Sequence, residues 1–311
     1  MDGRAESKTT VGLRGCQPDE ATDERVTDSY VVVVGATGWV GSRLVARAEK
    51  RGLLGAAVSR QGELGGRWPR HPLDDLAKLA RRPGAVVVNA AGATSGDETT
   101  LHRANVELVE RLARTCHEVG AGLVTLGSAA EYGAPIGPLV AESDPPQPTS
   151  PYGRSKLAAT QTVLRHVDAG LRATVLRMFN LVGPDRPGVD PISDFARAVN
   201  ALPASGGAVH PYDSSLVRDL MGLDRAADLV LDLCLHVGEA RVVNLCSGRG
   251  VNFRDLIEAM AAVRGVPARV EDTSPGGIPR VVGDPGLLFG LVGVQEPEAV
   301  SDLAALALGT T

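Results

Sequence analysis

The sequence predicts a doubly wound α/β fold, in which helices cover both faces of a mostly parallel sheet. Two observations support this prediction: short apolar, β-branched runs alternate with segments of helical periodicity, and a glycine-rich turn follows the first of these runs. Such alternation is typical of right-handed βαβ units, and runs that are apolar throughout are typical of strands buried on both faces. The chain has 311 residues, of which 43% are hydrophobic and 22% charged, so it can bury the core that this fold requires.

The predicted elements begin at residue 30. The polar stretch 1–29 shows no periodicity, and we expect it to be a disordered tail. The apolar run 30–34 predicts the first strand, and the next segment repeats apolar residues every three to four positions until Gly52, which predicts a helix. By the same criteria, further strands are predicted at 56–58, 85–88, 122–126, 174–178 and 242–245, and further helices at 75–80, 101–119, 151–168, 193–201 and 225–235.

The composition excludes several classes of function. With a net charge of −5 and only 3% aromatic residues, the chain lacks the basic, base-stacking surface of a nucleic-acid-binding protein. No apolar run reaches the about 18 residues that a membrane span needs, and the N-terminus lacks the apolar segment of a signal peptide. The four cysteines form no C-x-x-C pair, so we expect reduced thiols in a cytoplasmic protein, and the scattered histidines predict no metal site.

The glycine-rich turn is the first motif with chemical meaning. It reads G-A-T-G-W-V-G and joins the first predicted strand to the first predicted helix. Glycines there permit a tight turn and a close backbone approach, so the pyrophosphate of a dinucleotide can lie on the helix N-terminus. We expect cofactor contacts from Gly35, Thr37, Gly38, Trp39, Val40 and Gly41. Residues 30–178 plus 216–247 are accordingly predicted to form a dinucleotide-binding Rossmann domain, and 179–215 plus 248–311 a smaller, discontinuous substrate-binding lid domain.

The end of the second predicted strand indicates which dinucleotide is bound. An Asp or Glu about 20 positions after the turn would bind the ribose 2′-hydroxyl of NAD, but this strand ends in Ser59 and Arg60. A guanidinium beside a small hydroxyl suits a 2′-phosphate, because opposite charges pair and no acid repels the phosphate. We therefore expect NADP (NADPH) to be favoured over NAD. The alternatives are that Arg60 is a solvated loop residue or that Glu63 reaches the ribose.

The predicted catalytic residues are Ser128, Tyr152 and Lys156. Tyr152 and Lys156 lie four positions apart and therefore on one helix face, where the ammonium is expected to lower the pKa of the phenol from about 10 and to hold the cofactor ribose. Tyr152 can then act as a general acid or base. Ser128 follows a predicted strand, and its hydroxyl would bond the substrate oxygen as that oxygen changes between carbonyl and alcohol.

These motifs resemble those of the extended short-chain dehydrogenase/reductases, also called the NAD-dependent epimerase/dehydratase family. The resemblance spans about 30–295 and includes, in order, GATGWVG at 35–41, NAAG at 89–92, GSAAEYG at 127–133, PYGRSK at 151–156, RMFNLVGP at 177–184, RDLMGLDRAADLV at 218–230 and VNLCSGRGVNFRDLIEAM at 243–260. It implies that Asn105 acts with the catalytic residues by supporting the lysine and the cofactor through water. It also implies a homodimer built on the helices that carry Asn105 and Tyr152.

The resemblance implies further binding residues. The expected cofactor contacts come from Ala90, Ala91, Gly92 and Met178, and the expected substrate contacts from Thr94, Ser128, Asn180 and Arg218. Of these, Asn180 and Arg218 match positions that bind the diphosphate in family members that use nucleotide sugars. An amide donor and a guanidinium suit phosphate oxygens, although a loop-capping Asn and a surface salt bridge would also account for the two residues.

Two departures from the family pattern bear on the reaction. Sugar 4,6-dehydratases carry an Asp-Glu pair after the catalytic Ser or Thr, where this chain has Ala129 and Ala130; because a methyl group cannot move a proton, dehydration is disfavoured. Glu131 stands where an apolar residue is usual. We predict an NADP(H)-dependent oxidoreductase that reduces a keto group of a sugar nucleotide or related small molecule, as a 4-ketoreductase does. The alternatives are an NAD-dependent nucleotide-sugar 4-epimerase and a non-catalytic nucleotide-sensing protein.

Overall fold

The computed structural model describes residues 30–59, 70–186 and 190–310, so the predicted tail lies outside the described residues. The described strands are β1 Tyr30–Val34, β2 Leu54–Val58, β3 Arg70–His71, β4 Ala85–Asn89, β5 Gly122–Ser128, β6 Ala173–Met178, β7 Asn180–Val182, β8 Gly207–Val209, β9 Val217–Gly222, β10 Val242–Leu245, β11 Gly250–Asn252, β12 Ala268–Val270 and β13 Arg280–Val281. The described α-helices are α1 Trp39–Lys50, α2 Leu76–Leu79, α3 Glu98–His102, α4 Leu108–Val119, α5 Pro151–Asp168, α6 Pro191–Ala201, α7 Leu223–Leu233, α8 Phe253–Arg264, α9 Gly286–Val292 and α10 Val300–Leu308. A π-helical turn, Arg103–Glu107, joins α3 to α4, and a 3₁₀ turn, Ala129–Glu131, follows β5.

Seven of the described strands form one parallel sheet, in the order β10-β6-β5-β4-β1-β2-β3. The strand order reverses between β1 and β4, which pair with each other along their full length. In doubly wound sheets, ligands bind at such a switch point, outside the carboxyl ends of the strands. The predicted Rossmann sheet is confirmed, and the loops that follow β1 and β4 lie together at its switch point.

Both faces of this sheet are buried, which explains its continuous valine runs. On β1, Val31 and Val33 contribute to a core shared with α1 and α7, whereas Val32 and Val34 contribute to a core shared with α4 and α5. Successive side chains of a strand point to opposite faces. Each of these valines is at most 3% exposed, and burial of one such side chain is worth about 1.5–3 kcal/mol. One strand therefore supplies two separate cores.

A second, smaller region follows β6. Here β9 pairs with β7, β11 and β13, and β8 pairs with β12. The core of this region lies among α6, α8 and α10. The rings of Phe195 and Phe253 meet edge to face within it, with centroids 5.1 Å apart, a geometry that aromatic pairs favour. The predicted boundaries of the two domains stay a prediction.

Most of the predicted helices and strands are present, and the differences have physical causes. The predicted helix 101–119 begins three residues earlier and contains the π turn. The predicted helix 75–80 is a 3₁₀ turn followed by the four-residue α2. The short strands β3, β7–β9 and β11–β13 were not predicted, because each contains a polar residue or a glycine that interrupts the apolar run.

Chemically reactive or membrane-spanning features are few in the described residues. Cys116, Cys234 and Cys246 are buried free thiols. Within the ranges that the structure describes, no three His, Cys, Asp or Glu side chains form a group that could hold a metal ion. Among the described helices, none is long and apolar enough to cross a membrane.

Candidate active site

The turn between β1 and α1 is tight because its glycines lie where side chains would collide. Gly35 has φ +83°, and a Cβ there would be 2.6 Å from the backbone nitrogen of Ala91. A Cβ on Gly41 would be 2.0 Å from the carbonyl oxygen of Gly35. Gly38 is the N-cap of α1 and provides no side-chain cap. The turn therefore presents the N-terminus of a 12-residue helix, which is suited to an anion such as a pyrophosphate.

The other predicted contacts of this turn lie at the start of α1. Thr37 is exposed, and Val40 packs against the core shared by α1 and α7. Trp39 joins the turn to the segment that follows β7, because its indole Nε1 donates to the carbonyl oxygen of Pro184 at 2.7 Å. The Arg186 guanidinium lies 5.3 Å from the centroid of the same indole ring.

The end of β2 is described only in part. Ser59 is buried, and its backbone N–H donates to the carbonyl oxygen of His71 at 3.1 Å. Arg60 lies outside the described residues. The preference for NADP over NAD that Arg60 indicates therefore stays a prediction.

Asn105 ties the loop after β4 to α5. Its Nδ2 donates to the carbonyl oxygen of Ala93 and to the hydroxyl of Ser155, both at 2.9 Å, and its Oδ1 accepts the N–H of Ala93 at 2.9 Å. A Cβ on Gly92 would be 2.7 Å from Asn105 Oδ1 and 3.9 Å from Lys156 Nζ. The loop, Asn105 and the lysine therefore converge at Gly92, and the predicted role of Asn105 through water stays a prediction.

The remaining residues around the switch point are half-buried or exposed. The N–H of Ala90 donates to the carbonyl oxygen of Val34 at 2.9 Å, and the N–H of Ala91 donates to Asn89 Oδ1 at 3.1 Å. Thr94 is exposed in the loop that follows. Met178 ends β6 and pairs with the last residue of β5. Their predicted contacts with cofactor and substrate stay predictions.

The structure brings the three predicted catalytic side chains together. Ser128 ends β5, and its hydroxyl accepts the N–H of Ala130 at 3.1 Å. The same hydroxyl lies close enough to Tyr152 to lower the pKa of the phenol as a hydrogen-bond donor. Lys156 Nζ donates to the carbonyl oxygen of Leu126 at 2.6 Å. Ser128 and Tyr152 thus meet between the carboxyl end of β5 and the first turn of α5, and Lys156 reaches the backbone of β5 from the next turn of the same helix.

Local sequence fixes where α5 begins. Ser150 is the N-cap, its hydroxyl accepts the N–H of Gly153 at 3.0 Å, and Pro151 occupies the first turn, as is typical of helix starts. A Cβ on Gly153 would be 2.4 Å from the carbonyl oxygen of Ala130. The helix can therefore pack directly on the 3₁₀ turn after Ser128.

Burial shifts the pKa values of Tyr152 and Lys156 in opposite directions. It raises the pKa of Tyr152 and lowers the pKa of Lys156 to about 8, because a low-dielectric environment disfavours phenolate and ammonium alike. The Ser128 hydroxyl and the Arg186 charge lower the pKa of Tyr152, whereas Glu131 raises the pKa of both groups. The expectation that Lys156 brings the pKa of Tyr152 below its ordinary value is wrong here, since burial dominates and the charges that act on the phenol are those of Glu131 and Arg186. Tyr152 therefore carries its proton at neutral pH.

Sequence reasoning missed Arg186. Its guanidinium forms an ion pair with Asp190 at 3.0 Å and donates to the carbonyl oxygen of Leu181. It lies two residues beyond the RMFNLVGP motif, in a glycine- and proline-rich stretch without periodicity. The signal that could have found it is a cation placed shortly after a motif that ends at the switch point.

The two residues expected to bind a diphosphate lie on neighbouring strands. Asn180 starts β7, and its Nδ2 donates to the carbonyl oxygen of Asp219 at 3.1 Å. Arg218 lies on β9, donates to the carbonyl oxygen of Val217 at 2.8 Å, and places its guanidinium 5.7 Å from the ring centroid of Phe253. Burial lowers the pKa of Arg218. The structure brings the two residues near each other, and their contact with a diphosphate stays a prediction.

The fold and this site together define an NAD(P)-dependent enzyme of the short-chain dehydrogenase/reductase superfamily. The chain belongs to the NAD dependent epimerase/dehydratase family, whose model matches residues 31–246. The family predicted from the motifs is confirmed.

Its relatives include enzymes of two kinds. The dTDP-6-deoxy-L-talose 4-dehydrogenase (NAD(P)(+)) of Kitasatospora kifunensis is 34% identical over 267 residues, which cover 81% of this chain and 84% of the relative. The UDP-glucose 4-epimerase of Azospirillum brasilense is 29% identical over 304 residues, which cover 84% and 85%. The solved structure of RMD from Pseudomonas aeruginosa complexed with NADPH matches with a TM-score of 0.73 at 25% identity, over 91% of this chain and 98% of that one.

Proposed function

We propose that the protein is an NADP(H)-dependent oxidoreductase that reduces a keto group of a sugar nucleotide, in the manner of a 4-ketoreductase. The observation that carries this proposal is the chemistry at the end of β5. Ser128, Tyr152 and Lys156 lie together there, and the two residues after Ser128 are Ala129 and Ala130. Such a set can exchange one proton with a substrate oxygen, which is what interconversion of a carbonyl and an alcohol requires.

Each of the three side chains has a defined task in this reaction. A bound nicotinamide dinucleotide supplies the hydride that the carbonyl carbon gains. Tyr152 donates its proton to the carbonyl oxygen, and the Ser128 hydroxyl bonds the same oxygen while its charge grows. The Lys156 ammonium would hold the cofactor ribose. The product is an alcohol, and reversal of the same steps oxidises it.

The residues beside Ser128 argue against elimination of water. Removing a hydroxide and a neighbouring proton needs a second acid and a second base, in addition to the group that acts on the oxygen. Ala129 is buried and Ala130 half-buried, and neither can transfer a proton. Dehydration by the route of the family's dehydratases is therefore disfavoured.

Two further observations support the cofactor and the substrate class. Arg60 stands where NAD-binding domains of this type carry an acid, and a guanidinium pairs with a 2′-phosphate. Asn180 and Arg218 present an amide donor and a guanidinium on adjacent strands, which suits a diphosphate. The likeness to the dTDP-6-deoxy-L-talose 4-dehydrogenase supports a deoxysugar nucleotide.

A nucleotide-sugar 4-epimerase is the second candidate, and the likeness to UDP-glucose 4-epimerases favours it. It would use the same three side chains, but it would oxidise the substrate and reduce it again on one tightly held NAD. A reductase must instead exchange its nucleotide after each turnover. The two functions therefore differ in which dinucleotide is bound and in whether it dissociates.

Calorimetry separates these candidates. Protein freed of nucleotide would be titrated with NADPH, NADH, NADP and NAD. A clear preference for NADPH is expected, whereas tight NAD, or NAD that cannot be removed, would instead identify the epimerase. In the same experiment Arg60→Ala should weaken NADPH much more than NADH, with Arg70→Ala as a matched control that leaves both unchanged. Equal losses for the two dinucleotides in Arg60→Ala would refute the 2′-phosphate contact.

The proposal extends to a homodimer, as the family resemblance implies. The helices expected to form the interface, α4 and α5, lie side by side on one face of the large sheet. Light scattering of the purified chain tests this, and a monomer at micromolar concentration would contradict it.

A further inference from the structure

Glu131 is a buried carboxylate beside the catalytic residues to which the proposed reaction assigns no task. It is 0% exposed and ends the 3₁₀ turn that follows Ser128. Its Oε1 accepts the backbone N–H of Ser128 at 3.0 Å, and its Oε2 accepts the Thr160 hydroxyl at 2.9 Å and the Arg177 Nε–H at 2.9 Å. Both oxygens are therefore bonded, as a buried charge requires.

The partners of Glu131 come from the elements that build the site. Ser128 ends β5, Thr160 lies one turn beyond Lys156 on α5, and Arg177 lies on β6. Glu131 also completes a capping box, since the Ser128 hydroxyl caps the same turn. One side chain thus fixes the Ser128 turn relative to the helix that carries Tyr152 and Lys156.

The surroundings make room for this carboxylate. Gly127 has no side chain, and a Cβ there would be 2.8 Å from Glu131 Oε1. The Arg177 guanidinium lies over the Tyr132 ring, 4.5 Å from its centroid. The ion pair of Glu131 and Arg177 is buried on both sides, at 0% and 5% side-chain exposure. Because the same carboxylate pairs with Arg177 and accepts the backbone N–H of Ser128, it links the buried ion pair to the catalytic turn.

We propose that Glu131 is a positioning residue of the active site, whose carboxylate holds the Ser128 turn in place against the helix that carries Tyr152 and Lys156. Its negative charge also favours the proton-carrying forms of Tyr152 and Lys156. Reduction consumes the proton of Tyr152 and requires the ammonium form of Lys156. The inference rests on the proposed function, because only a reductive reaction begins with a protonated tyrosine. Glu131 acts through the two groups and does not contact the substrate itself.

The charges that face the catalytic pair support this role. Glu131 is the partner charge that raises the pKa of both groups, and Arg186 opposes it at Tyr152. Arg177 is the counter-charge of Glu131 itself. Further charged residues pair with outer side chains of α5: Glu98 with Arg154, Glu110 with His166 and Arg241 with Asp168. Because burial lowers the pKa of Lys156 to about 8, loss of the Glu131 charge would bring deprotonation closer to neutral pH.

The decisive variant is Glu131→Gln, read by direct titration of the Tyr152 phenol. The chain has four tyrosines, so the difference in ultraviolet absorbance between each protein and its Tyr152→Phe counterpart isolates Tyr152. We expect the titration midpoint to fall by about half to one pH unit in Glu131→Gln, as loss of a nearby negative charge predicts. An unchanged or higher midpoint in a protein that melts cooperatively would overturn the inference.

The matched control is Thr160→Val, which removes one hydrogen bond to Glu131 and leaves every charge in place. Its midpoint should equal that of the unaltered protein, whereas a purely structural role would let both variants loosen the site alike. If Glu131→Gln fails to fold because Arg177 is left unpaired, Glu131→Gln/Arg177→Met removes both buried charges, a replacement that proteins often tolerate. The double variant should show a smaller downward shift, because loss of the Arg177 charge partly offsets loss of the Glu131 charge. No shift there would equally overturn the inference.

A kinetic experiment distinguishes failure of this inference from failure of the proposed function. With NADPH and the 4-keto form of dTDP-6-deoxy-L-talose as the probe, the alkaline limb of kcat/KM should move to lower pH in Glu131→Gln. If the unaltered protein does not reduce this or any other 4-keto sugar nucleotide, the proposed function fails. The phenol titration still decides the role of Glu131, since it needs neither cofactor nor substrate.

Discussion

The large parallel sheet and the small sheets around β9 are held together by different means. In the large sheet, alternate valines of one strand fill two cores, so the local apolar pattern is sufficient. Around β9, carboxylates accept backbone N–H groups from distant segments. Asp219 is the most fully bonded of them: it accepts the Ser247 N–H and hydroxyl at 2.8 Å, the Gly248 N–H at 2.9 Å and the Gly283 N–H at 3.3 Å.

The two regions therefore differ in how strongly their stability depends on individual residues. Exchange of one valine for another apolar residue of similar size changes the large sheet little, because dispersion and burial are spread over many contacts. The small region is joined by a few acids with distant partners. Those of Asp219 lie 28, 29 and 64 residues away, and Asp213 and Glu298 likewise accept the N–H groups of Gly276 and Gly222. We therefore expect chemistry and stability to fail independently in the two regions.

The largest effect is expected in the large-sheet region, on chemistry alone. Tyr152→Phe removes the general acid and should lower kcat by at least about 10²-fold. Cofactor affinity, measured by calorimetry, and the melting temperature should stay near those of the unaltered protein, because the ring keeps its packing. Unchanged turnover would refute the catalytic assignment.

The next effect is expected around β9, on stability and not on cofactor binding. Asp219→Asn places an amide N–H₂ against backbone donors, and it should lower the free energy of unfolding at neutral pH by about 2–4 kcal/mol. Cofactor affinity of the folded fraction should not change, because no partner of Asp219 belongs to the glycine turn. Denaturant titration with parallel calorimetry measures both quantities, and a coupled loss would contradict the separation of the two regions.

The same acid gives that prediction a pH dependence. Burial raises the pKa of Asp219 to about 6 in the folded protein, above the about 3.9 of an unfolded chain. The folded state therefore binds the proton more tightly, so stabilisation is present below about pH 4 and is lost as the pH rises through about 6. Asp219→Asn lacks this titration, and the gap in stability between the two proteins should widen as the pH falls from 6 to 4. A constant gap would show that Asp219 stays ionised.

The smallest effect is expected at the glycine turn, and it tests whether the large sheet tolerates change at its functional edge. Gly41→Ala forces a Cβ to within 2.0 Å of the Gly35 carbonyl oxygen, which should cost about 1–3 kcal/mol of stability and weaken NADPH binding. Gly290→Ala on α9 is the matched control, since nothing lies within 4 Å of its Cβ position. Similar behaviour of the two variants would mean that the turn relaxes freely.

The contrast between the regions also explains what the sequence could predict. The apolar runs and helical periods predicted β1, β4, β5 and β10 with α1 and α5, because each has a local pattern that tertiary packing then uses. The strands around β9 were missed because they are short, contain polar residues and pair with chain segments far apart in sequence. A β-branched run can be identified from the local sequence alone. The role of a carboxylate that accepts three N–H groups from distant segments cannot.

The candidate site divides in the same way. Motifs predicted Ser128, Tyr152 and Lys156, and the structure brings them together. The upward shift in the pKa of Tyr152 was not predictable, because it depends on burial and on Glu131 and Arg186. Sequence spacing shows which groups share a helix face, but it does not show how much water reaches them.

The π-helical turn at Arg103–Glu107 has a consequence for the phase of the helix around it. Leu101, Asn105 and Val109 are all buried and follow one another at intervals of four. On an α-helix each such interval exceeds a full turn by about 40°, so the three side chains would be rotated progressively around the helix axis. The wider turn absorbs that rotation and keeps the amide of Asn105 in line with the apolar residues on either side. Deletion of one residue from this turn would therefore rotate α3 against α4 and carry Asn105 away from Ser155.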